Sequence, residues 1–261
     1  MAMSPKLLRP RAASAAAYDV ASLPNLVSWW DASAKDSLYQ NSNGTTAVTA
    51  ADDPVGYWKD LYGTNHIIQA TAGNRPFYKP AGLNSRKALL FDGSNDALRC
   101  TPSSTIGANE LTLFAVWAVN VAGTYIGTPL MLGSGPNARP FDRWQSAGSN
   151  LAYIGNGNST ATVALRTRTT PVVYRIEVIK DGLSSGTHTF DEYINSDTSG
   201  NYSVTSTYST TSQVISVGAR ADSGTVSNIY VSEMILLNGL LDNAVVDEVT
   251  EYLAEKWGVT L

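Results

Sequence analysis

The chain has very little cysteine and little charge of either sign. Cys100 is the only cysteine among 261 residues, so no intrachain disulfide can form, which is typical of a protein made in a reducing cytoplasm. Charged residues make up 15% of the sequence and the formal net charge is −4. This balance argues against a nucleic-acid partner, because phosphate binding needs a basic surface.

Long apolar runs are absent too. No segment approaches the roughly eighteen apolar residues of a transmembrane helix, and residues 1–17 lack the apolar centre of a signal peptide. We therefore expect no membrane partner and no secretion signal.

The sequence also lacks the alternation of strands and helices that builds a parallel α/β sheet. Short apolar or alternating segments recur instead, separated by turns rich in Gly, Ser, Thr and Asn. The clearest are 111–119 and 172–179, whereas the polar stretch 195–213 predicts edge strands or a long surface loop. This pattern predicts an all-β fold, an antiparallel jelly-roll sandwich.

One helix is predicted, over residues 242–257 at the end of the chain. Asp242 is a favourable N-cap residue, Lys256 suits the last turn, and Gly258 is placed as a left-handed C-terminal cap. The apolar stripe that should pack on the sandwich is Leu241, Val245, Val249, Tyr252, Leu253 and Trp257. The acidic residues Asp247, Glu248, Glu251 and Glu255 lie mostly off that stripe. The jelly-roll domain is thus expected to span 23–261.

Residues 1–22 are predicted to form an extended arm outside that domain. Pro5 and Pro10 oppose regular structure there, and a frayed terminus is the alternative. The arm combines basic and apolar residues that could dock on a neighbouring protein: Lys6, Leu7, Leu8, Arg9 and Arg11.

Residue patterns that would indicate catalysis are missing. Asp191 and Glu192 are adjacent, so on a strand they point to opposite faces. Glu177 stands beside Arg175 and Lys180, which indicates a solvated or ion-paired face. There is no metal-spaced cluster of His and Cys and no phosphate-binding glycine loop. The sequence therefore predicts a protein that is not an enzyme and that holds no metal and no cofactor.

Several segments resemble the concanavalin A-like lectin/glucanase superfamily, specifically the laminin-G-like jelly rolls of bacteriophage virion proteins. They are 26–33, 55–60, 74–76, 87–96, 217–220, 231–236 and 251–258. The resemblance implies the jelly-roll fold, which hosts lectins, hydrolases and structural modules. The acidic Glu-x-Asp-x-x-Glu string of the glucanases does not occur here. Some relatives bind calcium, but Asp92 and Asp96 are too few ligands to define such a site.

From this resemblance we expect a virion structural protein, used in capsid decoration or as a tail or fibre component. It would be made in the host bacterial cytoplasm, and its arm would contact capsid, portal or tail proteins or a second copy of the chain. The alternative is a module that binds surface glycans through Phe141, Arg143, Trp144, Tyr153 and Asn156. A glycoside hydrolase is the third hypothesis.

Overall fold

The computed structural model describes residues 18–104, 106, 110–120, 130–132, 142–145, 151–155, 160–164, 171–180, 186–195, 197–206, 213–219 and 226–261. The strands in these ranges are β1 Leu26–Asp31, β2 Leu38–Tyr39, β3 Tyr57–Trp58, β4 Ile67–Ile68, β5 Phe77–Leu83, β6 Arg86–Asp92, β7 Leu98–Cys100, β8 Glu110–Val119, β9 Leu130–Leu132, β10 Asp142–Gln145, β11 Leu151–Gly155, β12 Thr160–Ala164, β13 Val172–Lys180, β14 Gly186–Ile194, β15 Asp197–Ser206, β16 Ile215–Val217 and β17 Asn228–Leu237. The helix α1 spans Asn243–Trp257.

The strands form two large antiparallel sheets that pack as a sandwich. One has eight strands in the order β15-β14-β13-β8-β17-β6-β5, with β1 also paired to β17, and the other has six in the order β2-β3-β4-β7-β16-β9. Strands β10, β11 and β12 form a small third sheet. The predicted all-β jelly-roll sandwich with one C-terminal helix is confirmed, and the polar stretch 195–213 contains the edge strand β15.

The main core lies between the two large sheets and is built from aromatic side chains. Trp30, Trp58, Trp117, Phe91 and Tyr174 are each fully buried there. Each such side chain contributes roughly 1.5–3 kcal/mol by leaving water. A second core joins the outer face of the eight-stranded sheet to α1.

Helix α1 packs on that outer face through one apolar side. It begins after Asp242, whose side chain makes no capping hydrogen bond, and ends at Gly258 in the left-handed region (φ 66°) as expected. Its buried residues are Val246, Val249, Thr250, Leu253, Ala254 and Trp257. The buried side of the helix is therefore rotated slightly from the predicted one, because Val246 is buried and the predicted Val245 is only partly buried. The four acidic residues off the stripe are exposed, as predicted.

A buried carboxylate on β17 receives three side-chain donors at this interface. Glu233 has no solvent exposure. Its Oε1 accepts from Trp29 Nε1 at 2.8 Å and from Tyr252 Oη at 3.0 Å, and its Oε2 accepts from Trp257 Nε1 at 2.6 Å. Two of these donors belong to α1, so the carboxylate fixes the helix on the sheet in one position.

Lys256 supplies the positive charge in the same place. Its Nζ lies 2.7 Å from Glu233 Oε2 and 2.7 Å from Asp31 Oδ2. Burial and the Asp31 charge raise the pKa of Glu233, while Lys256 opposes that shift. The sequence places Lys256 at the helix C-terminus, but its main partners are carboxylates from distant strands.

The described start of the chain also packs against the helix. Tyr18 stacks on Tyr252 with ring centroids 5.2 Å apart, and Val20, in the short 3₁₀ turn Val20–Ser22, is fully buried. Residues 1–17, which include the predicted docking residues, lie outside the described part of the chain. Within that part, no helix combines the length and the apolar character needed to cross a membrane.

We predict that Lys256→Met lowers the free energy of unfolding by about 3–5 kcal/mol, because two buried carboxylates lose their shared cation. The loss should be smaller at acidic pH than at alkaline pH, since protonation of Glu233 relieves the repulsion. Urea unfolding measures both values. Glu251→Gln, on the exposed side of α1, should change stability by less than about 0.5 kcal/mol. A Lys256→Met loss as small as this control would contradict the assigned network.

Candidate functional site

The two large sheets differ in what lies on their outer faces. Helix α1 covers much of the outer face of the eight-stranded sheet. On the six-stranded sheet, four adjacent strand pairings align one residue from each of five strands into a single row. The row is Tyr39, Tyr57, Ile68, Arg99 and Ser216. Their sequence neighbours Leu38, Trp58, Ile67, Leu98 and Val217 are buried in the main core, so this row, which we call the outer row, lies on the opposite face.

One end of the outer row is aromatic. The rings of Tyr39 and Tyr57 meet edge to face with centroids 5.6 Å apart, and His66 lies 5.2 Å from Tyr57 at an interplanar angle of 37°. A Cβ added at Gly44 would lie 3.5 Å from the Tyr57 ring, so the loop after β2 packs closely on that ring. Ile68, the next residue of the row, is 40% exposed. Together these side chains make a partly exposed apolar surface.

His66 has a defined hydrogen-bonding role in this cluster. Its Nδ1 accepts the backbone N–H of Asp60 at 3.1 Å. A neutral imidazole that accepts at Nδ1 carries its proton on Nε2. The ring therefore offers a donor beside Tyr57.

Asp60 organises the loop that carries His66. Its Oδ1 accepts the backbone N–H groups of Trp29, Tyr62 and Gly63 at 3.0, 3.1 and 3.0 Å, and its Oδ2 accepts that of Asn65 at 3.0 Å. The residue is only 2% exposed. With four backbone donors, this carboxylate serves as a structural anchor for the loop.

The other end of the outer row is cationic and more enclosed. Arg99 Nε donates to Ser216 Oγ at 3.2 Å, and Ser216 in turn donates to the Ala219 carbonyl. Ser216 has no exposure, in contrast to Ile68, so the row runs from an open end to a covered one. Burial lowers the pKa of Arg99 because it disfavours the charged form.

A second polar cluster lies on the eight-stranded sheet, at the strands β13 and β14. Arg175 Nη1 donates to Glu177 Oε1 at 2.9 Å, and its guanidinium lies 3.5 Å from the centroid of the Tyr193 ring. Asp191 is the register partner of Glu177. Burial, then the Asp191 charge, raise the pKa of Glu177, and Arg175 lowers it. The expected ion pair is thus present, and the register places Asp191 and Glu192 on opposite faces as predicted.

The structure places three of the five predicted glycan-binding residues on two paired strands. Phe141 and Asn156 lie outside the described residues. Arg143 and Trp144 are in β10 and Tyr153 is in β11, where Trp144 and Tyr153 are register partners. Sequence reasoning missed the outer row altogether. The one available signal was the pair of aromatic residues at 57 and 58 in a short strand.

Two further residues behave as ordinary structural groups. Cys100 is half-buried, and burial with the Asp60 charge raises its pKa to about 12, so the thiol stays protonated. Asp96 Oδ2 accepts the Asp92 backbone N–H at 2.9 Å, as expected for a local turn. Burial raises the pKa of Asp96 to about 7. Among the described residues no cluster of His, Cys, Asp and Glu could hold a metal ion.

Asp96 predicts a pH dependence of stability. Its folded pKa of about 7 exceeds the ordinary value of 3.8, so between these values the folded state binds more protons than the unfolded state. The free energy of unfolding should therefore fall as the pH rises through this window. Asp96→Asn, which keeps an acceptor for the Asp92 N–H, should flatten that fall in urea unfolding. Asp247→Asn on the exposed helix face should leave the fall unchanged and serves as the control. If the free energy of unfolding falls equally with pH in the wild type and in both variants, Asp96 is not its cause.

The fold is similar to parts of several glycoside hydrolases of known structure. Trypanosoma rangeli sialidase in complex with 2,3-difluorosialic acid matches with a TM-score of 0.56 at 13% identity, over 89% of this chain and 33% of the sialidase. Its complex with sialic acid matches with a TM-score of 0.53 at 13% identity, over 89% and 33%. An arabinofuranosidase complexed with arabinofuranosyl-α-1,2-xylobiose gives 0.54 at 14% identity, over 78% of this chain and 51% of the enzyme.

At such identities the likeness shows the fold alone. The chain spans one third of the length of the sialidase and about half of the arabinofuranosidase. No protein-family model matches the chain, and no curated protein sequence matches it.

These matches correct the predicted function. The prediction of a virion structural protein is wrong, because the similar solved structures described above are glycoside hydrolases. The prediction that the chain is not an enzyme is not confirmed either, since these neighbours are enzymes. The coarser part of the resemblance holds, namely an all-β sandwich of the jelly-roll class. A sandwich of this class hosts many unrelated functions. Motifs that indicate the fold therefore did not indicate whether the protein is part of a virion.

Proposed function

We propose that this chain is a carbohydrate-binding domain and that sugar binds on the outer row of the six-stranded sheet. The observation that carries the proposal is the aromatic end of that row, where Tyr39, Tyr57 and His66 lie in ring contact beside the exposed Ile68. Sugar rings combine apolar C–H faces with hydroxyl edges. Apolar and aromatic side chains pack on the C–H faces, and a few fixed polar groups form hydrogen bonds with the hydroxyl edges.

The polar groups of this surface are held in place by the fold. His66 is oriented through the Asp60 backbone, and Asp60 is itself fixed by four N–H donors. A donor held in this way keeps its direction before a ligand arrives, which lowers the entropic cost of binding. The structural neighbours support the ligand class, since one is a sialidase in complex with sialic acid and another an arabinofuranosidase complexed with arabinofuranosyl-α-1,2-xylobiose.

The predicted glycan-binding residues of the small sheet extend the same proposal. Strand β10 contacts β9, which is the last strand of the six-stranded sheet. Trp144 and Tyr153, register partners on β10 and β11, therefore belong to a sheet that contacts the edge strand β9. We assign them, with Arg143, a secondary role in contacting a longer saccharide.

We predict that Tyr57→Ala weakens saccharide binding by about tenfold, because a ring that forms the centre of the surface is lost. Tyr57→Phe, which keeps the ring, should bind nearly as the wild type does. A glycan array followed by isothermal titration of the best ligand measures the affinities. Tyr62→Ala removes a tyrosine that is 51% exposed but outside the row, and it serves as the matched control. Equal affinities for Tyr57→Ala and Tyr62→Ala would contradict the proposed surface.

Glycoside hydrolysis is the second candidate, favoured by the enzymes among the structural neighbours. Retaining glycosidases use two carboxyl groups roughly 5 Å apart, one of them with a raised pKa. Glu177 and Asp191 are the candidate pair, since register partners have Cβ atoms roughly 5 Å apart and burial raises the pKa of Glu177. In this reading Glu177 is the general acid and Asp191 the second carboxylate.

Hydrolysis of 4-nitrophenyl α-L-arabinofuranoside and of a 4-nitrophenyl sialoside tests the second candidate directly. If the carboxylate pair is catalytic, Glu177→Gln and Asp191→Asn should each lower kcat by at least about a hundredfold. Glu110→Gln, an exposed carboxylate at the start of β8, should have no effect. Wild-type protein that releases no nitrophenol above the buffer rate would exclude this candidate for these two substrate classes.

A further inference from the structure

Helix α1 packs on one end of the outer face of the eight-stranded sheet, and the other end carries a separate apolar cluster. There the register aligns one residue from each of β5, β6, β17 and β8 into a row. The row is Phe77, Leu90, Tyr230 and Ala118. Phe77 is 37% exposed, and Leu90 and Tyr230 are partly exposed. This end of the face therefore reaches the protein surface.

Two polar residues lie directly beside this row. Asp92 and Asn228 are register partners on β6 and β17. Side chains two positions apart on a strand share a face, so Asp92 lies next to Leu90 and Asn228 lies next to Tyr230. Register partners have Cβ atoms roughly 5 Å apart, and residues two apart along a strand are separated by roughly 7 Å. The four side chains form a block on the scale of one sugar ring, which we call the second block.

The amide group of Asn228 has a fixed orientation. Its Oδ1 accepts from Asn120 Nδ2 at 2.9 Å, and its backbone carbonyl accepts the Asn120 N–H at 3.0 Å. Asn120 follows β8, whereas Asp92 lies on β6, and these strands flank β17 on opposite sides. An amide oxygen held toward Asn120 turns the two N–H donors of the same group toward the Asp92 side.

The carboxylate of Asp92 is held in place as well. Its Oδ1 accepts the Ser94 N–H at 2.7 Å, and the side chain is exposed. A carboxylate has about four lone-pair sites, so it still accepts from a ligand. The turn at Gly93 has φ 79°, and a Cβ there would lie 2.9 Å from the Asn228 Cβ. This close packing keeps the acceptor of Asp92 next to the donors of Asn228.

The ring of Tyr230 is supported by strand β5. The pairing of β5 with β6 shifts register between Lys79 and Leu83. A Cβ added at Gly82, within this irregular part, would lie 3.2 Å from Tyr230 Cδ1 and 3.0 Å from the Ala88 Cβ. The segment 80–82 therefore packs against one edge of the ring and limits its movement. An aromatic group ordered in this way loses little conformational entropy when a ligand binds.

We propose that the second block is a further saccharide-binding site, and that it takes neutral sugars. The C–H face of the sugar rests on Tyr230 and Leu90. One hydroxyl oxygen accepts from Asn228 Nδ2, and a neighbouring hydroxyl donates to the Asp92 carboxylate. The negative charge of Asp92 repels the carboxylate of a uronic or sialic acid.

A hydroxyl pair fits the second block better than a cation does. A carboxylate beside an aromatic ring also suits a quaternary ammonium group. The N–H donors of Asn228, however, present their positive ends on the same side and disfavour a positive ligand. The site goes beyond the proposed function, because it lies on the opposite sheet from the outer row. The domain then has one sugar site on each layer of the sandwich, which raises its avidity for a surface that carries many saccharides.

The test is a titration of the whole chain followed by ¹H–¹⁵N NMR of the side-chain amide groups. The signals of Asn228 are identified by their loss in Asn228→Asp. The ligands are the methyl glycosides of galactose, glucose and mannose, each compared with the methyl glycoside of its uronic acid, and choline chloride. We expect at least one neutral glycoside to shift the Asn228 signals to saturation and to bind about tenfold tighter than its uronic acid.

The variants separate the two halves of the second block. Asp92→Asn keeps an Oδ1 that accepts the Ser94 N–H, but it removes the charge and one acceptor, so the neutral sugar should bind about tenfold more weakly. The discrimination against uronic acid should disappear with it. Tyr230→Leu retains apolar packing on the cluster and should weaken all the glycosides alike. Asp247→Asn, the same substitution on the exposed helix face, should bind as the wild type does.

The outcomes distinguish this inference from the proposed function. If Asp92→Asn binds every glycoside as the wild type does while Tyr57→Ala loses binding, the outer row stands and the second block is overturned. If Asp92→Asn loses binding while Tyr57→Ala retains it, the second block stands and the outer row fails. Asn228 signals that respond to choline alone, or to none of the ligands, would also overturn the second block.

Discussion

The arrangement of this domain depends on one buried carboxylate. Glu233 is removed from water in the middle of β17, where an unpaired charge would be very unfavourable. It is satisfied by donors from both sides of an interface: Trp29 from β1, and Trp257 and Lys256 from α1. The apolar stripe of the helix would tolerate small rotations and shifts. The hydrogen bonds to the carboxylate would be lost by such movements, so Glu233 specifies one position of the helix on the sheet.

That docking decides which surfaces remain for function. With α1 on the eight-stranded sheet, a large part of that outer face becomes core, and the apolar outer row of the other sheet is left partly exposed. The same helix orders Tyr18 through its stacking on Tyr252, so the chain enters the domain on the helix side. The entry of the chain and the outer row thus lie on opposite layers of the sandwich.

Sequence reasoning succeeded for the fold but did not identify the outer row, and strand length explains the difference. Strands β8, β13 and β17 are long enough to show alternation, and α1 shows a helical stripe with a glycine cap. The outer row draws on strands of two or three residues, which are too short for any periodicity to be visible. Tyr39, Tyr57, Ile68 and Arg99 become neighbours only through pairing between distant segments. The function inferred from family motifs failed for a related reason, since those motifs stabilise turns and strands common to many uses.

The amino-acid sequence by itself determined the all-β class, the C-terminal helix and the absence of an intrachain disulfide. These follow from local rules: side chains alternate along a strand, repeat every three or four positions along a helix, and glycine alone readily adopts the left-handed cap. The tertiary structure decided that Lys256 pairs with Glu233 and Asp31, and that an arginine lies between an aromatic surface and a buried serine. Such contacts depend on how distant strands are aligned within a sheet and on which side chains the fold removes from water. Neither is encoded in the spacing of neighbouring residues.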